Sequence, residues 1–100
     1  MTDHVAAREL SLYATNHGDL YRQRTQPVIA NLRRKIAKGA YDPELAPFAW
    51  QHVADDAARL YCREFGCNLQ DTFPRTVRQA AALEIMAHYA EAVNEGSAAP

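Results

Sequence analysis

The sequence predicts an all-α fold, a compact four-helix bundle with a central antiparallel helical hairpin. Apolar residues recur at three- and four-residue spacing through most of the 100 positions, the period of helices with one buried face. Hydrophobic residues make up 48% of the chain and 19 of them are alanine, the best helix former. The turn Lys38-Gly39-Ala40-Tyr41-Asp42-Pro43-Glu44 separates two amphipathic runs, and so short a link favours antiparallel neighbours. Residues 1–96 are expected to form one helical domain, with 97–100 as a frayed tail.

Leu, Ile, Val and Phe together number only 19, a level at which disorder competes. A net charge of −1 removes the repulsion that disorder also needs, so a bundle with small residues at its helix contacts is expected.

The first helix is placed at Asp3–Thr15, with Ala6, Leu10, Tyr13 and Ala14 on one face and Asn16-His17-Gly18 as its stop. Val5 and Leu12 point the other way, so this helix is either sandwiched or offers a side to a partner. The second runs from about Asp19 to Lys38, burying Tyr21, Thr25, Val28, Ile29, Leu32 and Ile36. Pro27 lies inside it and must bend or interrupt it, because proline donates no backbone hydrogen bond. Gly39 supplies the stop.

Asp42-Pro43-Glu44 reads as a capped start for the third helix, though Pro47 delays its regular part to about Ala46. Trp50, Val53, Ala54, Ala57, Ala58, Tyr61 and Phe65 make its apolar face, Phe48 projects oppositely, and Gly66 ends it. Residues 67–71 are a connection. The fourth helix opens at Thr72-Phe73-Pro74 and runs to about Asn94, with Ala82, Leu83, Met86, Tyr89, Ala90 and Val93 inward. Leu32, Ile36, Trp50, Val53, Ala57 and Tyr61 are expected to share one core.

No run approaches the roughly 18 apolar residues of a membrane span, and the opening MTDHVAARELSLY has no secretory-signal pattern. A cytoplasmic setting is expected, with Cys62 and Cys67 reduced and used for packing. Their spacing of five fits neither a redox CxxC nor a usual zinc pair. No nucleophile–base order, phosphate loop or dinucleotide fingerprint is present. Asp55-Asp56 has no second acidic pair beside it, so neither an enzyme nor a cofactor is expected.

Two charged faces remain. Between Leu20 and Tyr41 lie six basic residues and no acid: Arg22, Arg24, Arg33, Arg34, Lys35 and Lys38. Arg34, Lys35 and Lys38 form the candidate partner-binding group, with a solvated face as the bland reading and nucleic acid as the rival. Glu84, His88, Glu91 and Glu95 fall on one outward line at helical spacing. Glu84, Glu91 and Glu95 form the second candidate group, suited to a basic partner. A metal site there lacks a second ligating helix. The tyrosines suit the core or an interface.

The segment LYATNHGDLYRQRTQPVIANLRRKIAKGAYDPELAPFAWQHVADDAARLYCREFG, with FPRTVRQAAALEIMAHY, resembles small proteins encoded by bacteriophages, prophages and other mobile elements. DLYRQRTQPVIANL and KGAYDPE are its most specific pieces. A helical protein of this kind and size also resembles the anti-CRISPR inhibitors of type I surveillance complexes. The resemblance implies stoichiometric docking on a host protein or ribonucleoprotein complex, blocking DNA engagement without catalysis. It assigns no role to any position. Direct duplex binding is the weaker alternative at this net charge, no membrane partner is implied, and the oligomeric state stays open.

Overall fold

Short polar, proline and glycine signals set the helix ends of this chain. The computed structural model describes residues 2–98, with the side chains of 2–94. In order come α1 (Asp3–Thr15), α2 (Gly18–Leu20), a π-helical turn (Tyr21–Thr25), α3 (Gln26–Ala37), α4 (Ala46–Phe65), α5 (Leu69–Thr72), α6 (Arg75–His88) and α7 (Ala90–Ala98). The described residues contain no strand.

The α1 helix has its expected bounds, and the Thr2 hydroxyl accepts the Val5 N–H at 3.2 Å to cap it. Ala6, Ala7, Leu10, Ser11 and Ala14 are buried. Val5 and Leu12 are 51% and 52% exposed, so α1 is not sandwiched and its far side faces outward.

Pro27 does not break the second helix. The turn just before it widens, and the Gln26 N–H reaches back five residues to the Tyr21 carbonyl. A π turn absorbs the missing proline donor, and helical structure continues from Gly18 to Ala37. Gly39, at φ +70°, closes α3: its N–H reaches the Ile36 carbonyl at 3.1 Å and the Ala40 N–H reaches Lys35 at 2.7 Å.

The Asp42 carboxylate accepts the Glu44 N–H at 2.9 Å, and its carbonyl accepts from Leu45 and Ala46, so α4 starts where Pro47 was expected to place it. Phe48 projects outward as expected, whereas Phe65 is 61% exposed rather than inward, because Gly66 ends the helix directly after it.

The fourth expected helix is three pieces. Asn68 caps the single turn α5, and Pro74 then starts α6. Tyr89 leaves the helical conformation (φ −100°, ψ 8°), and α7 begins after it. Val77, Ala81, Ala82 and Ile85 fill the inward face of α6, while Leu83 and Ala90, expected inside, are exposed. In so alanine-rich a helix the wheel hardly separates neighbouring faces, and the Tyr89 break resets the phase beyond it. The tail expected over 97–100 overlaps the end of α7, and residues 99 and 100 lie outside the described residues.

Tyr61 meets Phe73, Asp55 meets Arg78, and Phe48 shares a groove with Leu83, so α4 and α6 run antiparallel. α1 packs on both, and these three helices hold the main core. α3 lies chiefly along α7 and meets α4 mainly around Leu32, so the turn at 38–45 joins helices that share little surface. The molecule measures 46 × 25 × 16 Å. Leu32, Trp50, Val53 and Ala57 share one core as expected, with Ile36 and Tyr61 packed at its edge.

Trp50 is 1% exposed and stacks on Tyr89 at 5.6 Å. Trp50→Ala is expected to cost about 3–5 kcal/mol in urea denaturation, and a near-neutral result would refute the buried stack. The fully buried Thr25 hydroxyl has no hydrogen-bond partner among the described residues. Thr25→Val keeps the shape and removes the stranded hydroxyl, so it should raise stability by about 1–3 kcal/mol in the same assay.

Candidate functional site

The long basic run divides into paired and outward groups. Arg22 pairs with Asp19 within the arm formed by α2, the π turn and α3. Arg24 Nε reaches Asp56 on α4 at 2.8 Å, and Arg33 Nε donates to the Ala92 carbonyl on α7 at 2.7 Å. These contacts tie the arm to its neighbours. Arg34, Lys35 and Lys38 are exposed and form no ion pair among the described residues; Arg34 makes only a long 3.5 Å contact with Asn31.

The acidic line does not survive as a line. Glu84 Oε1 bonds Arg8 on α1 at 3.2 Å, and Oε2 is buried with no hydrogen-bond partner among the described residues. Glu84 is therefore a link between α1 and α6 rather than an open acid. Glu91 is exposed, but it lies beyond the Tyr89 break on α7, a different helix. The side chain of Glu95 is outside the described ones.

Sequence reasoning missed a groove of about 520 Å³ between α4 and α6. Phe48 and Leu83, 67% and 52% exposed, line one end, and Arg75 lines the other. Among its lining residues is a bonded polar cluster. Asp55 accepts from Arg78 Nη1 at 2.9 Å and from Gln51 at 3.0 Å, while Arg78 Nε donates to the Phe73 carbonyl at 2.9 Å. With its guanidinium held by these bonds, Arg78 acts as framework. Arg75 is exposed, with no ion pair among the described residues. Two outward apolar side chains and an exposed arginine thus border one groove. The sequence signal is the outward Phe48; Leu83 carries none, because the helical wheel places it inside.

A second cluster gathers at the far end of α4. Tyr61 sits against Tyr13, Phe65 and Phe73, with ring centroids 4.6–5.2 Å apart. The Tyr61 hydroxyl donates to Glu9 at 2.6 Å and the Tyr13 hydroxyl to Glu64 at 2.8 Å. The bond to Glu9, with burial, pushes the Tyr61 phenol up to about 12. Burial, then Glu64, does the same for Tyr13. Burial first, then the Tyr21 phenol, raises Tyr89.

Beside Tyr61 the chain also joins two residues that spacing alone kept apart. Cys62 ends its turn of α4, the left-handed Gly66 reverses the backbone, and the Cys67 N–H returns to the Cys62 carbonyl at 3.0 Å. The two free thiols stand 2.7 Å apart, sulfur to sulfur. Burial and the neighbouring Cys67 push the Cys62 thiol up to about 11, against a smaller opposite pull from the Thr72 hydroxyl. The glycine between the cysteines was the signal for this approach.

Among the described residues no group of three or more His, Cys, Asp or Glu could hold a metal ion, and no helix is long and apolar enough to cross a membrane. The chain matches no protein-family model, no curated protein and no solved structure.

The neutral Tyr61 phenol is favoured by the fold, since its pKa rises from 10.0 to about 12. The stability it contributes is complete below pH 10 and is lost as pH climbs toward 12. Tyr61→Phe should therefore show a shallower fall in urea midpoint across that window than the parent. Equal slopes would mean that the Glu9 bond does not set the phenol's titration.

Proposed function

We propose that this chain is a non-catalytic docking protein, encoded by a phage or mobile element, that inhibits a type I CRISPR surveillance complex in the host cytoplasm. The observation that supports docking is the α4/α6 groove, with Phe48, Leu83 and Arg75 exposed beside the bonded pair Asp55 and Arg78. The resemblance of the sequence supplies the partner. The binding body is a four-helix bundle in the sense of four helical arms: α1, α2 to α3, α4, and α5 to α7.

Phe48 and Leu83 serve as apolar anchors and Arg75 as a charged one. Of the two charged groups, Arg34, Lys35 and Lys38 suit an acidic subunit or guide RNA. Glu91 suits the basic channel that receives DNA, with Glu95 beside it in sequence, while Glu84 is already matched by Arg8. The exposed trio also supports the rival reading, direct binding of nucleic acid along α3.

Titration of the purified protein against a type I effector, with target-DNA binding as readout, tests the proposal. Inhibition should saturate near one or a few copies per effector. Phe48→Ala with Leu83→Ala should weaken it at least about tenfold, the effect of losing hot-spot anchors. Reversal of Arg34, Lys35 and Lys38 to Glu, against Glu91→Lys, shows which charge faces the partner. Inhibition far below stoichiometry would mean an enzyme. Salt-sensitive duplex binding without effector binding would hand the function to the nucleic-acid reading.

A further inference from the structure

We propose that Cys62 and Cys67 form a dithiol modification site that reacts with small-molecule disulfides and closes reversibly to an intramolecular disulfide. The proposal stands on the fold around Gly66 and is independent of the partner. The two sulfurs are in direct contact, so closure to a disulfide bond of about 2.05 Å needs only a short approach. The Cys67 N–H to Cys62 carbonyl bond and the left-handed Gly66 hold the backbone in that approach before any reaction. A five-residue separation in an uninterrupted helix would not bring two side chains onto one face.

The two thiols have different roles. Cys67 lies on the connection after α4 and is the more accessible; Cys62 is 9% exposed, near Thr72. The Cys67 thiolate attacks one sulfur of the small disulfide, forming a mixed disulfide and expelling one thiolate, which takes a proton. Cys62 then loses its proton to solvent and attacks the Cys67 sulfur, forming the internal bond and expelling the second small thiol. Two protein thiols are oxidised, and one disulfide is reduced to two thiols. The product ties the last turn of α4 to the connection that leads into α5.

Reduced protein is incubated with glutathione disulfide and followed by intact mass. The expected product is lighter by two hydrogens, carries no glutathione, and reverts with dithiothreitol. Cys62→Ala should trap one glutathione on Cys67, while Cys67→Ala should react roughly tenfold more slowly because its remaining thiol is buried. Circular dichroism checks that each variant folds. Should Cys62→Ala unfold, the wild-type product still decides between closure and stable adducts. Closure should also be at least about tenfold faster in the folded protein than in urea, since the fold holds the thiols in place. Stable glutathione adducts on the wild type, disulfide-linked dimers, or equal closure rates folded and unfolded would each overturn the proposal.

Discussion

Close approach of helices through alanine is the constraint on which this molecule depends. Nine of the twenty buried apolar residues described are alanine, and Ala54, Ala57, Ala58 and Ala81 are fully enclosed between α1, α4 and α6. A methyl removes little surface from water, so the stabilisation must come from the few large groups that the approach encloses. Leu10, Trp50, Val53, Phe73, Val77 and Ile85 are those groups, each almost wholly buried. The same closeness leaves no room for larger residues at the contact line. Backbones set this near one another also bring long polar side chains within reach across the interface, which is how Arg8 finds Glu84 and Arg78 finds Asp55.

The second packing unit is built differently. Arg33 on α3 is held at the Ala92 carbonyl of α7, and Tyr89, just ahead of α7, sits between Trp50 and Tyr21. Tyr89 is thus the point where the alanine core hands over to the arm. Its departure from helical geometry lets α6 keep its phase on α1 and α4 while α7 takes another along α3.

Local signals were legible in the sequence wherever chemistry forces a backbone state. The bounds of α1, the late start of α4, and the stops at Gly39 and Gly66 follow from caps, proline and glycine. What stayed hidden depended on partners far along the chain. An alanine-rich wheel cannot say which of several faces is inward, which is why Leu83 was misplaced. The Tyr89 break has no local marker, and the ring that Tyr89 stacks on, Trp50, stands almost forty positions earlier. Among the charges, Arg34, Lys35 and Lys38 were outward by periodicity and stayed outward, while Glu84 was taken up by a helix the sequence could not place beside it. Spacing alone keeps the cysteines apart, yet the reversal at Gly66 joins them.

The π turn ahead of Pro27 couples the length of the chain to one of its residues. A turn closed over five residues stores one more than an α-helical turn, and here the surplus sits where the proline lacks its donor. Deleting a residue from 21–25 while keeping Pro27 would drive its ring onto the carbonyl four positions back. Replacing Pro27 alone would restore the missing N–H and leave the surplus residue with nothing to hold the turn open. Shedding both together returns the segment to plain α-helix, so insertion–deletion and substitution at this place are coupled.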